Sequence, residues 1–210
     1  MIFQIVVLVF SAVIHEVSHG FMAEHLGDPT ARLLGRLTLN PFKHLDPFGS
    51  VLLPLLLFFS GSSIFFAWAK PVPYNPAKLK NSDRDAALIA LAGPASNLLL
   101  AVLFAVVSYF LPVSADVRAV IAQNVSYGNL GQIFLMLSNP FEVLFFFFSI
   151  IIIINISLGI FNLVPIPPLD GSKVLFAFFP KGASGLRATF ERYGFFILLI
   201  FVFFGFQLIV

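Results

Sequence analysis

Residues 141–163, FEVLFFFFSIIIIINISLGIFNL, contain one charged side chain, Glu142. As a helix this run would rise about 34 Å at roughly 1.5 Å per residue, enough to cross a bilayer core about 30 Å thick. Four more apolar stretches accompany it, at 1–23, 47–67, 86–111 and 194–210. The first has no Lys or Arg before Arg32 and runs directly into His15-Glu16, so it reads as a retained transmembrane helix rather than a cleaved signal peptide. Gly27-Asp28-Pro29 is its stop signal. Only 10% of the 210 residues are charged, against about 25% in an average soluble domain. A soluble globule and a disordered tail are therefore excluded. The 12 Lys and Arg residues are scattered rather than gathered into a patch, which excludes nucleic acid as a partner. With no cysteine, disulfides, a thiol nucleophile and a Cys-based zinc site are excluded too. Residues 1–210 read as a single intramembrane domain embedded in a lipid bilayer.

The positions of the cations bear on topology. Pro54 and the Gly61-Ser62-Ser63 break suggest that residues 47–67 enter and leave the membrane on the same side. In that case Arg32, Arg36, Lys43, Lys70, Lys78, Lys80, Arg84, Lys173, Lys181, Arg187 and Arg192 share one face and only Arg118 lies opposite. A single crossing would spoil that segregation, so the positive-inside rule favours a re-entrant hairpin with the basic face cytoplasmic. The alternation of Leu37 and Leu39 with Arg36, Thr38 and Asn40 reads as a short strand or hairpin. The fold expected is an all-α, multi-pass protein of the cell (inner) membrane. It has about four transmembrane helices, a re-entrant hydrophobic hairpin and a short β-hairpin near the cytoplasmic face.

His15-Glu16-Val17-Ser18-His19 is the pattern H-E-x-x-H on the first helix. Positions i and i+4 share a helix face, so both imidazoles can reach one ion, with the glutamate placed to act on its water. Ionisable groups inside an apolar span are costly and usually mark a partner or a function. A merely interfacial role suits His25 better than His15. A hydrolytic zinc usually has three protein ligands, and among the few carboxylates Asp170 stands out, in NLVPIPPLDG from Asn162 to Gly171. Taken alone, Asp170 could equally be a helix N-cap where the chain leaves the membrane. The re-entrant topology brings it out on the same face as His19, which makes a shared ion possible.

These motifs resemble the site-2 protease family of intramembrane zinc metalloproteases, which pair an HExxH helix with a later N-x-x-P-x-x-P-x-D-G type segment. Gly93-Pro94-Ala95-Ser96-Asn97 is similar to the family's GPxxN segment, and HEVSHGFMAEHLGD, GRLTLNPFKHLDPFG, WAKPVPYNP and LAGPASNLLLA resemble its compact bacterial subgroup without PDZ or CBS domains. The resemblance covers nearly the whole chain; the 47–67 stretch departs from the family's minimal core. It implies one Zn2+ per chain held by His15, His19 and Asp170. It further implies Glu16 as general base and Asn162 as a catalytic group aiding the oxyanion or positioning substrate. The substrates implied are transmembrane proteins cut in or near their spanning segments, with the active site near the cytoplasmic face. A metal-ion transporter or an inactive membrane scaffold are the competing readings.

Asn155, Gly159 and Asn162 form a polar and small stripe, in which Asn155 reads as an interhelical hydrogen-bonding residue. Gly93, Asn97, Ala101 and Ala105 recur every four residues, a close-packing pattern in which Asn97 reads as a packing or substrate-contact residue.

Overall fold

The computed structural model describes residues 2–52, 56, 59, 70–180 and 183–202. The chain starts with α1 (Ile2–His25), turns at Asp28 and makes the single turn α2 (Thr30–Leu33). Short 3-10 turns follow at Pro41–Lys43 and Pro76–Lys78, with a π-helical turn at Pro47–Leu52 between them. Next come α3 (Ser82–Tyr109), α4 (Ala115–Ser126), α5 (Leu130–Phe134), α6 (Pro140–Asn162), α7 (Asp170–Ala177) and α8 (Ser184–Ile200).

Among the described residues three helices, α1, α3 and α6, are long and apolar enough to cross a membrane. α3 is the central one, packing against α6, α1 and α7. It runs antiparallel to α1: His19 meets Ile89 and His15 meets Asn97. The end of α1 and the start of α3 therefore lie at one end of the bundle. Only Gly194–Ile200 of the fourth span expected at 194–210 falls in α8, and residues 203–210 lie outside the described set. The re-entrant hairpin expected at 47–67 also falls largely outside it.

The interior of this bundle sets polar residues among small and branched apolar ones, and its exterior is largely apolar. Ser11, His15, His19, Asn97, Ser108, Ser149 and Asn155 are buried, whereas Leu8, Phe10, Leu99, Leu103 and Ile160 stand exposed. A soluble protein sorts its residues the other way. In hydrocarbon, small and hydrogen-bonding residues hold helices together while large apolar ones face lipid. An apolar cluster does form at the far end, where Ile121 and Val125 of α4 and Ile133 of α5 pack on Phe145, Phe146 and Ile150 of α6. There Arg118 donates to the carbonyls of Tyr109, Leu111 and Val113, satisfying the C-terminal end of α3. At the N-terminus of α6, Asn139 accepts from the Phe141 and Glu142 amides, and Glu142 accepts in return from Ser138 N.

The short β-hairpin does not form, and no sheet occurs among the described residues. Ala31–Leu33 fall in α2, and the backbone from 36 to 40 is irregular. Side chains here take up the groups a partner strand would need. Arg36 donates to the carbonyls of Lys70 and Pro71, His44 Nε2 bonds Thr38 O, and Leu37 lies over Gly20 beside Val72.

Candidate metal centre

Helical spacing puts His15 and His19 on the inner face of α1, with the rings edge to face and their centroids 4.6 Å apart. Asp170 arrives from the other end of the chain. After α6 the backbone folds back through NLVPIPPL and restarts as α7, with Asp170 as its first residue. Asp170 is not the N-cap, which is Leu169, so its carboxylate is free to turn inward. Gly171 makes the turn possible: a Cβ there would sit 2.1 Å from Leu163 O and 2.6 Å from Val164 O.

Asp170 Oδ2 lies 3.0 Å from His15 Nε2 and 3.2 Å from His19 Nε2. One ligand atom from each of the three residues falls within 4.8 Å of the others. All three are buried, with 6%, 9% and 7% of their surface exposed for His15, His19 and Asp170. Lys173 Nζ lies 3.5 Å from Asp170 Oδ1, the oxygen that does not face the histidines.

The donor set suits zinc: two imidazole nitrogens and one carboxylate oxygen, in a buried site with room beside them. His19 Nδ1 lies 2.6 Å from the carbonyl of Ile89, which can only accept, so that nitrogen carries the proton and Nε2 keeps its lone pair for a metal. The space comes from Gly93, where a Cβ would stand 2.5 Å from Nε2 of both rings.

Glu16, on the neighbouring face of α1, accepts at Oε2 from the main-chain N–H of Val72, 2.8 Å away. Val72 stands between Pro71 and Pro73, so its N–H is the one donor in that three-residue strip. Asn162 is the last residue of α6 and donates to Leu158 O at 2.9 Å; its Oδ1 makes no hydrogen bond among the described residues. His25 and Asp116 stand apart from this cluster.

The sequence did not point to two contributors, the Ile89 carbonyl and the Val72 amide. It did single out Gly93 and Asn97, with Asn97 as a packing or substrate-contact residue, whereas the structure sets Asn97 Oδ1 2.6 Å from His15 Nδ1. Asn155 does hydrogen-bond between helices, to Asn97 and Ser11.

The sequence matches the model of peptidase family M50 over residues 3–205. It is 37% identical over 198 residues to the Bacillus subtilis protein named "Putative zinc metalloprotease YwhC", covering 94% of this chain and 78% of that one. It is 27% identical over 193 residues to "Putative zinc metalloprotease Rip2" of Mycolicibacterium smegmatis, covering 90% of this chain and 62% of the relative. No solved structure matches. With a family model spanning nearly all its residues and a relative sharing more than a third of them, the chain belongs to peptidase family M50.

Proposed function

We propose that this chain is a zinc metalloendopeptidase working inside the membrane, which hydrolyses peptide bonds in or near the transmembrane segments of other proteins. The observation that carries the reading is the convergence of His15 Nε2, His19 Nε2 and Asp170 Oδ2, from opposite ends of the sequence, in one buried cluster between apolar helices. Zinc held by these three residues would supply Lewis acidity, polarising a carbonyl and easing the loss of a proton from water.

The protein's own groups supply the rest. Glu16 takes the proton from water as the new C–O bond forms and delivers it to the departing amine as the C–N bond breaks. The Val72 amide holds one of its oxygens, leaving the other to face the reaction. Asn162, with an uncommitted Oδ1 beside the α6–α7 turn, contacts the substrate backbone or the developing oxyanion. The buried bundle around the histidines keeps bulk water out, so hydrolysis is confined to what enters the site. No feature among the described residues favours an ion carrier or an inactive scaffold.

The proposal extends to topology. Residues 1–210 act as one domain, and the segment around 47–67 returns to the side it left. The antiparallel contact of α1 with α3 supports this, because it brings both flanks of that segment to one end. The basic residues of that end make it cytoplasmic, which puts the site near the cytoplasmic face of the cell membrane.

The test is cleavage of a single-span model substrate by detergent-purified protein reconstituted in liposomes. Glu16→Gln is expected to keep one zinc per chain and to lose cleavage by at least about 100-fold, the lower range for a general base. Cleavage at the wild-type rate by that variant would remove Glu16 from the mechanism.

A further inference from the structure

Five hydrogen bonds form a relay behind His15. Asn155 Nδ2 of α6 donates to Ile151 O at 2.9 Å and to Ser11 Oγ at 3.0 Å. Asn97 Nδ2 of α3 donates to Asn155 Oδ1 at 2.9 Å and to Ser11 O of α1 at 3.3 Å. Asn97 Oδ1 then faces His15 Nδ1 at 2.6 Å. Asn97 and Asn155 have no exposed surface at all, and Ser11 is buried at 4%.

The direction of this relay is fixed at its far end. A main-chain carbonyl can only accept, so Ile151 O orients the Asn155 amide with its NH2 towards α6's own backbone and its oxygen towards Asn97. Asn155 Oδ1 and Ser11 O are both acceptors, so they orient Asn97 with its NH2 towards them. Its oxygen is left for His15. That oxygen accepts too, so the proton of a neutral His15 must reside on Nδ1, and Nε2 is the nitrogen with a lone pair. Reversing either amide would set acceptor against acceptor among fully buried groups and leave them unsatisfied.

We infer that Asn97 is a positioning residue for the metal centre: its side-chain oxygen, oriented through Asn155 by main-chain carbonyls of α1 and α6, locks His15 in the tautomer that can bind zinc. The inference rests on the zinc reading above and adds a residue to it. His19 gets the same service from a backbone carbonyl, Ile89 O. His15 has a side chain in that role, so its tautomer can be changed by a single substitution.

The experiment is chelator competition for zinc on the purified full chain, with wild type, Asn97→Leu, Asn97→Asp and His15→Ala. Leucine matches the shape of asparagine without an acceptor and is expected to weaken zinc binding about 10–100-fold, the usual cost of losing such a partner. Aspartate protonated on the oxygen that faces Asn155 Oδ1 and Ser11 O keeps a donor there and offers its other oxygen to Nδ1, so it is expected to bind zinc within about threefold of wild type. That rescue separates the acceptor from simple space-filling. His15→Ala tests the underlying reading: undiminished zinc binding there would overturn the metal assignment itself. Wild-type affinity in Asn97→Leu with binding lost in His15→Ala would overturn the role of Asn97 alone. Should the leucine variant not fold, nitrogen-15 NMR of zinc-loaded wild type decides the question, with His15 assigned by its absence in His15→Ala. A protonated Nδ1 and a zinc-bound Nε2 support the inference, and the reverse assignment defeats it.

Discussion

Gly93 lies where a methyl group would stand 2.5 Å from the metal-facing nitrogens of both histidines. Alanine at this position is expected to push the rings aside and weaken zinc binding at least tenfold, as loss of ligand support usually does. Because both rings are buried and hydrogen-bonded, the clash outweighs the roughly 1 kcal/mol by which alanine suits a helix interior better than glycine, and the zinc-free variant is expected to melt below zinc-free wild type. Chelator competition and thermal unfolding in detergent read the two effects separately, and wild-type zinc affinity in Gly93→Ala would rule out the close contact. At this scale the sequence was legible for residues that cluster locally. His15 and His19 share a helix face at fixed spacing with Glu16 beside them, and Asp170 stood out as a carboxylate among prolines in an apolar chain. Asn97 and the Ile89 carbonyl were not legible as ligand supports. Each meets its histidine across 82 and 70 residues of chain, and such contacts leave no periodic trace. A backbone carbonyl leaves no sequence trace of any kind.

The connections between the helices rely on polar latches, and Asp28 is the most enclosed of them. It follows α1, is fully buried, and accepts from Thr30 N, Thr30 Oγ1 and Asn75 N, with Lys78 Nζ 3.7 Å away. One carboxylate thus ties the α1–α2 corner to the strip that carries Val72 to Glu16. Burial works against its ionisation, but these donors outweigh it and lower its pKa. A group with a lowered folded-state pKa contributes stability that is fully present above the ordinary carboxylate value of about 3.9 and is lost as pH falls through the folded value. Asp28→Ala is therefore expected to lower the melting temperature at pH 7 and to flatten its decline between about pH 5 and pH 2. A variant that melts like wild type at pH 7 would leave Asp28 without this role. Latches of this kind are also why the segment at 31–40 was misread. Leu37 and Leu39 alternate as in a strand, but Arg36, His44 and Thr38 take up the backbone groups by side-chain bonds. The long helices were easier to read, since an apolar run of more than 20 residues leaves few alternatives in a bilayer.

Across the whole molecule, charge and chemistry gather at one end. Asp28 joins Asn75, and Arg187 of α8 pairs with Asp83 of α3 at 3.1 Å, so the basic segments around 32–36, 70–84 and 187–192 lie together beside the histidine end of α1. Arg118 sits at the far end, where it is occupied by the carbonyls that close α3. Its isolation from the other cations therefore has a structural cause as well as a topological one. Because the chain has no cysteine, a single introduced thiol reports its own side of the membrane. Lys80→Cys and Ser184→Cys are exposed positions at the basic end, and Gln123→Cys is exposed at the opposite one. A membrane-impermeant maleimide is expected to label Gln123→Cys in intact spheroplasts, and Lys80→Cys and Ser184→Cys only in inverted vesicles. The reverse pattern would put the metal centre on the outer side and contradict the charge rule. Labelling of Lys80→Cys and Gln123→Cys from one side would mean that α3 does not cross at all. Were that pattern found, the proposed zinc ligands would lie near the cytoplasmic face, and a fragment released from a cut transmembrane helix would be expected to leave on that side.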